Sequence, residues 1–237
     1  MSAPGRIVVA EAPQLAEAAA EWIAAALEED VRTRGRCAVA LAGGTTPRPV
    51  YERLAREPYV RRVDWRAVDV YFGDERAVPP DDPESNYGMA AAVLLDRGPA
   101  AAARVHRMEA DAPDVNAAAL AYDRLLPAAL DLVLLGIGPD GHTASLFPGS
   151  PALAEQSRRV VPVIGPKPPP QRLTVTPPVL AAARRIGVLA TGADKARAVA
   201  RALEGPVRPL ECPAQLARRG VWFLDAAAAA ALRSAAA

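Results

Sequence analysis

The sequence predicts an α/β fold in which a mostly parallel sheet is flanked by helices on both faces. Short apolar runs alternate with longer segments whose apolar residues recur at helical spacing. Such alternation is typical of parallel sheets, whose strands are buried on both sides. Hydrophobic residues make up 51% of the chain and charged residues 23%, which supports a packed core and excludes a disordered chain. For 237 residues the simplest organisation is one domain spanning 1–237.

The elements follow in order along the chain. Pro13 suits a first helical turn, and Leu15, Ala19 and Ile23 then recur on one face, which predicts a helix over 13–31. Strands are predicted over 37–42, 68–72, 132–137, 160–164, 186–190 and 221–224. Further helices are predicted over 47–56, 86–95, 115–126, 193–203 and 226–231.

The segment 165–178, GPKPPPQRLTVTPP, is dense in proline. Proline lacks an N–H donor, so this segment is predicted to be a rigid loop or an edge strand. A PxxP ligand for a partner domain is the competing interpretation. Arg172 would be held on the rim of the site and is a candidate for binding the substrate.

Charge and cysteine usage exclude several classes of function. The formal charge of +1 lacks the basic excess of a nucleic-acid-binding protein. No apolar run approaches the ~20 residues of a membrane span, and the N-terminus lacks a signal-peptide core. Cys37 and Cys212 are too few for a secreted disulfide scaffold, which favours a cytoplasmic protein.

The first predicted strand ends in LAGGTTP, residues 41–47. Gly43 and Gly44 allow backbone N–H groups to approach an anion, and Thr45 and Thr46 add hydroxyl donors at a helix start, which suits a phosphate. The alternative is an ordinary turn in which a threonine caps the helix. The segment lacks the GxxxxGK[ST] and GxGxxG patterns, which disfavours ATP and NAD.

The second strand end carries three adjacent charges, Asp74, Glu75 and Arg76. Arg76 has the planar donor geometry to bind a phosphate or a carbonyl oxygen, with Asp74 orienting it. The alternative is a solvated turn in which the glutamate and the arginine pair. Ser85 is predicted to cap the next helix.

The third strand end, GIGPDGHTASLFPG at 136–149, brings Asp140 and His142 into a glycine-rich turn. A histidine in this position can deprotonate a water molecule at neutral pH. The second histidine of the chain, His106, lies in no such setting and is predicted to be structural.

The fourth strand end, TGADKA at 191–196, places Lys195 in a first helical turn, as an anion-binding charge or as a solvated lysine. Four glycine- or charge-bearing strand ends in one sheet together indicate a phosphorylated ligand. Two histidines and two cysteines at unrelated spacings make no metal-ligand cluster, and no GxSxG elbow is present.

These motifs occur in the order found in the 6-phosphogluconolactonase family, which the chain resembles over most of its length. The resemblance implies a fold like that of glucosamine-6-phosphate deaminase and ribose-5-phosphate isomerase. It also implies hydrolysis of 6-phosphoglucono-δ-lactone, a small phosphorylated sugar lactone, in the oxidative pentose phosphate pathway, without a metal or organic cofactor. The oligomeric state stays open.

Carried over position by position, the resemblance makes His142 the general base and Arg76 the residue that steadies the carbonyl oxygen or the substrate. The resemblance also implies that the phosphate is bound by Gly43, Gly44, Thr45 and Lys195. It implies that Asp140 orients the turn or the histidine.

Two alternatives remain at this point. A sugar-phosphate isomerase or deaminase could share the scaffold, but the related deaminases carry a glutamate where this chain has Phe147, and sugar-amine isomerisation needs that acid–base group. A non-catalytic sugar-phosphate-binding domain is the second alternative, although such domains are fused to DNA-binding modules.

Overall fold

The structure is a computed structural model that describes residues 5–233. The strands are β1 Ile7–Val9, β2 Cys37–Leu41, β3 Val68–Phe72, β4 Asp74–Arg76, β5 Arg104–Val105, β6 Leu132–Gly136, β7 Val160–Ile164, β8 Gln171–Val175, β9 Arg185–Ala190 and β10 Val221–Leu224. The α-helices are α1 Ala12–Arg34, α2 Arg48–Leu54, α3 Tyr59–Arg62, α4 Asn86–Ala90, α5 Val115–Leu125, α6 Pro177–Ala182, α7 Ala196–Leu203 and α8 Ala226–Ala229. Among these residues no helix combines the length and the apolar character needed to cross a membrane.

Seven strands form one sheet in the order β1-β10-β9-β6-β2-β3-β5, and every neighbouring pair in it is parallel. Successive residues of a strand enter different cores: Val39 packs with α1 and α2, whereas Ala40 packs with residues of α5, α6 and α7. The prediction of a parallel sheet covered by helices on both faces is therefore confirmed.

The first helix shows why the local patterns were informative. α1 has Pro13 in its first turn and ends at Gly35, whose left-handed φ of 72° lets its N–H bond to the Val31 carbonyl. Its apolar stripe, which includes Leu15 and Ile23, is buried against α2 and the sheet. The helix extends a turn beyond the predicted end at residue 31.

Other predicted helices begin where expected but differ in detail. The 86–95 helix is α-helical to Ala90 and continues as a π turn over Ala91–Leu95. The 193–203 helix starts with a short 3₁₀ turn, Ala193–Lys195. The C-terminal helix is shorter than the predicted 226–231.

A second sheet was not foreseen. β4, β8 and β7 form a three-stranded antiparallel sheet in that order. Residues 160–164 were predicted to belong to the parallel sheet, and this is wrong because they pair with β8. The loop or edge-strand prediction for 165–178 is also wrong for its middle: β8 is the central strand. The prolines flank it, so the stretch 171–175 keeps all its N–H donors.

Gly73 joins the two sheets. Its N–H donates to the Leu41 carbonyl of β2 at 3.0 Å, and its own carbonyl accepts from the Val175 N–H of β8 at 2.9 Å. The charged segment 74–76, predicted to lie at a strand end, is itself the edge strand β4 of the second sheet, so the alternative of a solvated turn is wrong. This arrangement brings the second sheet over the carboxyl ends of the parallel strands.

One group of potential metal ligands among the described residues lies at the opposite end of the sheet: Asp30, Cys37 and Asp131. Its carboxylates already pair with arginines, since Arg34 lies 2.7 Å from Asp30 and 2.8 Å from Asp131, and Arg185 lies 2.6 Å from Asp30. Burial raises the pKa of the Cys37 thiol. The group is a charge network that ties α1 to the strands.

Candidate active site

A cleft of about 430 Å³ opens at the carboxyl ends of β2, β3, β6 and β9. It is lined by nine of the residues singled out from the sequence: Gly43, Gly44, Thr45, Thr46, Asp74, Arg76, His142, Arg172 and Lys195. Asp140 is not among the lining residues, but its carboxylate contacts the His142 ring. The strand ends selected from the sequence thus meet at one cleft.

The cleft has a cationic lining. Apart from His142, its charged side chains are four cations and two carboxylates: Arg76, Lys167, Arg172, Lys195, Asp74 and Asp194. A neighbouring groove is larger, about 950 Å³, but mostly apolar, with Asp140 and Arg172 as its charged residues. An anionic ligand therefore favours the smaller cleft.

The glycine loop, residues 42–47, connects β2 to α2. Gly44 has φ of 88°, a conformation that favours glycine. Neither threonine caps the helix, because Pro47 occupies the cap position and no side-chain cap bond forms. Instead the Thr46 hydroxyl lies 3.3 Å from the Thr191 hydroxyl at the end of β9. The threonine-capped turn is therefore not observed, and both threonines line the cleft.

Gly43 is required by a close approach. A Cβ at this position would lie 1.7 Å from Oδ1 of Asn86, a residue that is 1% exposed. Asn86 begins α4, which Ser85 caps as predicted by accepting from the Gly88 N–H. Asn86 was not predicted as a member of the site, because its position beside the glycine loop is a tertiary contact.

Asp74 was predicted to orient Arg76, but the two side chains do not form a pair in the structure. The Asp74 carboxylate accepts hydrogen bonds from the Ser145 hydroxyl at 2.6 Å and from Asn86 Nδ2 at 3.2 Å. Arg76 instead donates to the Glu84 backbone carbonyl and lies 3.7 Å from the Glu84 carboxylate. Its Nε is buried without a hydrogen-bond partner among the described residues. Glu84 is thus the residue that orients Arg76, and one guanidinium donor is left unused.

Glu75 is turned away from the cleft and is 2% exposed. Its carboxylate accepts from the backbone N–H groups of Asn86 and Tyr87 and from the Ser85 hydroxyl. Burial raises the pKa of Glu75. It fixes the start of α4 to β4, and so it is a structural member of the charged triplet.

His142 and Asp140 form a close pair. Asp140 Oδ1 lies 2.6 Å from His142 Nδ1 and 3.2 Å from the His142 backbone nitrogen. Burial alone would raise the pKa of Asp140, but the hydrogen bond and the charge of His142 outweigh it and lower the pKa to about 2. With Nδ1 held by a carboxylate, Nε2 is the ring nitrogen left to act on a ligand.

The turn that carries His142 is tight and strained. A Cβ on Gly138 would lie 2.1 Å from the imidazole ring, and Gly141 has φ of 93°. Ala144 has φ of 47°, which is unfavourable for a residue with a side chain and costs on the order of 1–3 kcal/mol. Such strain is typical of functional turns.

Two further cations are positioned by local contacts. Lys195 lies 2.8 Å from Asp194, with 21% of its side chain exposed. Arg172 stacks over the Phe147 ring at 5.7 Å and donates to the Pro169 carbonyl at 3.1 Å. Burial lowers the pKa of Arg172. Both cations are held at the rim of the cleft.

The second histidine is structural, as predicted. His106 stacks on Tyr71 with ring centroids 4.5 Å apart, and its Nε2 lies 3.0 Å from Asp69. It is not among the residues lining the cleft.

The chain is similar to proteins of known family and known structure. Residues 10–223 match the family model described as glucosamine-6-phosphate isomerases/6-phosphogluconolactonase. The chain is 42% identical to a 6-phosphogluconolactonase of Streptomyces coelicolor, over 97% of this chain and 95% of that protein. It matches the solved 6-phosphogluconolactonase of Trypanosoma brucei with a TM-score of 0.83 and 32% identity, covering 97% of this chain and 99% of that one. A monomeric glucosamine-6-phosphate deaminase has the same fold, with a TM-score of 0.83 and 24% identity over 95% of this chain and 99% of that one.

Proposed function

The chain belongs to the glucosamine-6-phosphate isomerase/6-phosphogluconolactonase family, and we propose that it hydrolyses 6-phosphoglucono-δ-lactone to 6-phosphogluconate. This is the lactone-opening reaction of the oxidative pentose phosphate pathway. The observation that carries the proposal is the Asp140–His142 pair at 2.6 Å beside a cation-lined cleft. The family match over 10–223 supports treating the chain as one domain of this type.

The cleft contains groups that can bind the phosphate of the substrate. Gly43 and Gly44 expose backbone at one wall, Thr45 and Thr46 supply hydroxyls, and Lys195 supplies a positive charge. Holding the phosphate would place the lactone carbonyl in the part of the cleft that is lined by His142. Fixing a reactant in this way removes much of the entropic barrier.

His142 acts on water. Its Nε2 takes a proton as the water oxygen attacks the lactone carbonyl carbon, and the carbonyl oxygen becomes an oxyanion. The guanidinium of Arg76, which lines the cleft, stabilises that charge. When the intermediate collapses, the bond between the carbonyl carbon and the ring oxygen breaks, and the imidazolium returns its proton to the departing oxygen.

Asp140 assists this cycle. Its carboxylate holds Nδ1 and stabilises the imidazolium that forms when the proton arrives. All proton transfers take place between the substrate, one water molecule and His142, so the reaction needs no further acid–base group.

Phe147 argues against the deaminase alternative. Its ring centroid lies 4.8 Å from that of His142, and the residue is 8% exposed. The position that carries a carboxylate in the related deaminases therefore holds a packed phenyl ring. Ring opening and proton movement on a sugar amine would lack their acid–base group.

A cytoplasmic location is part of the proposal. Cys37 and Cys212 are both buried and free, which suits a reducing compartment.

The test is hydrolysis of freshly generated 6-phosphoglucono-δ-lactone, measured against its spontaneous rate. Unphosphorylated gluconolactone and glucosamine 6-phosphate serve as parallel substrates. We expect acceleration of the phosphorylated lactone alone, and a loss of roughly 10²–10⁴ in rate for His142→Ala with phosphate binding retained. Saturable sugar-phosphate binding without acceleration would favour the non-catalytic binding domain, and near-normal turnover of the variant would remove His142 from the mechanism.

A further inference from the structure

We propose that Asn86 and Ser145 are positioning residues which, through the carboxylate of Asp74, set the spacing between the glycine loop and the His142 turn. The inference rests on the proposed lactonase function, because it assigns those two loops to phosphate binding and to water activation. Neither residue was predicted from the sequence as a member of the site.

The three side chains form a buried polar chain. Asn86 is 1% exposed, Asp74 8% and Ser145 0%. Nδ2 of Asn86 donates to the Asp74 backbone carbonyl at 2.8 Å and to Oδ1 at 3.2 Å. The Ser145 hydroxyl donates to the other carboxylate oxygen, Oδ2, at 2.6 Å. One carboxylate therefore bridges two elements that are distant in the sequence.

At one end the chain meets the glycine loop. Oδ1 of Asn86 occupies the space where a Gly43 side chain would be, and it is a buried acceptor without a partner among the described residues. Burying an amide oxygen without a hydrogen bond costs free energy. We therefore infer that this oxygen has a role where it lies, against the glycine loop. The side chain fixes how close the loop comes to β4, which carries Arg76.

At the other end the chain meets the catalytic turn. Ser145 follows His142 by three residues, and the left-handed Ala144 reverses the chain between them. The Ser145 backbone N–H also donates to the Thr174 hydroxyl of β8 at 3.2 Å. Thr174 is the residue opposite Asp74 in the β4–β8 pairing. The contacts of Ser145 with Thr174 and with Asp74 therefore attach the turn to the same place on the second sheet.

The mechanism needs this spacing to be fixed. The phosphate is held by the glycine loop, while the attacking water is held by His142, and a displacement of about 1 Å between them can cost on the order of 10²-fold in rate. The hydrogen bond from Thr143 to the Gly136 carbonyl attaches the turn to the end of β6, but it cannot set the distance between the turn and Asn86, which lies beside the glycine loop. The bridge through Asp74 can.

The experiment compares steady-state kinetics of Ser145→Ala with those of the wild type. The substitution removes one hydroxyl and leaves the volume almost unchanged. We expect kcat to fall about 10- to 100-fold, with inhibition by inorganic phosphate changed less than about three-fold because the grip itself is intact. Thr176→Val is the matched control, since it removes another fully buried hydroxyl, bonded to the Arg158 carbonyl at 2.7 Å, outside the bridge. Its kcat should stay at the wild-type value.

Asn86→Asp is the second variant, and it keeps the shape of the side chain. It replaces the donor facing Asp74 by an oxygen, so kcat should again fall. Because both residues act through one carboxylate, the loss in the double variant should be smaller than the product of the two single losses. A kcat within two-fold of wild type for a folded Ser145→Ala, or losses that multiply, would overturn the inference. Absence of lactone hydrolysis by the wild type would instead count against the proposed function.

Discussion

Replacing Asp140 by asparagine tests the most specific feature of the proposed mechanism. The amide oxygen of asparagine can still accept from Nδ1 of His142, so the ring keeps its orientation while the negative charge is lost. If Asp140 only shapes the turn, the charge is dispensable. If it stabilises the imidazolium, removing the charge raises the barrier.

The structure gives the magnitude. Lowering the pKa of Asp140 from the ordinary 3.8 to about 2 corresponds to about 2.4 kcal/mol in favour of the ionised form, at about 1.4 kcal/mol per pKa unit. The Asp140 side chain is 43% exposed, so solvent screens much of this. A remaining effect of about 1 kcal/mol predicts a fall in kcat of about five- to ten-fold for Asp140→Asn. Asp140→Ala should lose more, because orientation of the ring is lost as well.

The same pair contributes to stability in a defined pH range. Since the folded pKa lies below the unfolded one, the contribution is fully present above about pH 4 and disappears as the pH falls through about 2. Denaturant titrations at about pH 5 should therefore show Asp140→Asn less stable than wild type by about 1 kcal/mol, with the two converging as the pH falls through about 2.

Asp69→Asn is the matched control within the chain. Asp69 also lies 3.0 Å from a histidine, and its pKa is lowered to about 2, chiefly by the hydrogen bond from Arg104. This pair is outside the cleft, so the control should lose stability but keep kcat. The reasoning would be refuted if Asp140→Asn kept kcat within two-fold of wild type, or if Asp69→Asn lost activity to the same extent.

Three further predictions concern the same cleft. Gly43→Ala should lower kcat/KM by about 100-fold, because its Cβ would lie 1.7 Å from a buried amide oxygen. Gly73→Ala in the same cleft, whose Cβ would meet nothing nearer than 3.8 Å, should change kcat/KM little, and equal losses in steady-state assays would contradict the argument. Lys195→Met should raise KM for the phosphorylated lactone about 10- to 100-fold, as expected for one charge-assisted bond, while leaving hydrolysis of the unphosphorylated lactone unchanged; a parallel loss on both substrates would remove it from the phosphate grip. Because a general base accepts a proton only in its unprotonated form, activity should decline on acidification. After subtraction of spontaneous hydrolysis, a flat profile between about pH 5 and 8 would speak against this base.

Local patterns predicted the five central strands of the parallel sheet, because each of these is an apolar run that is mostly buried. The edge strands β1 and β5 have only three and two residues, and β5 is exposed. β3 and β10 have the predicted bounds, and β2 and β6 are one residue shorter than predicted. The second sheet was missed for a physical reason. β4 is only three residues long and charged, so its strand conformation comes from pairing with β8, which lies far along the chain.

The site shows the same division. Glycines and charges after buried strands were sufficient to select the residues that line the cleft, because parallel strands bring their carboxyl ends to one edge. They were not sufficient to assign partners. Asp74 was expected to orient Arg76, whereas Glu84 does so, and Asp74 joins Ser145 and Asn86.

The sequence by itself determined the fold class, the edge of the sheet to which the candidate residues belong, and the presence of Asp140 and His142 in one glycine-rich turn. These depend on periodicity and on short-range spacing, which the chain carries locally. Tertiary structure alone decided that Asp140 contacts His142, that Asn86 fills the space beside Gly43, and that Asp74 bridges two loops. Hydrogen-bond partners depend on distances of a few tenths of an ångström between segments remote in sequence, and only the packed structure sets such distances.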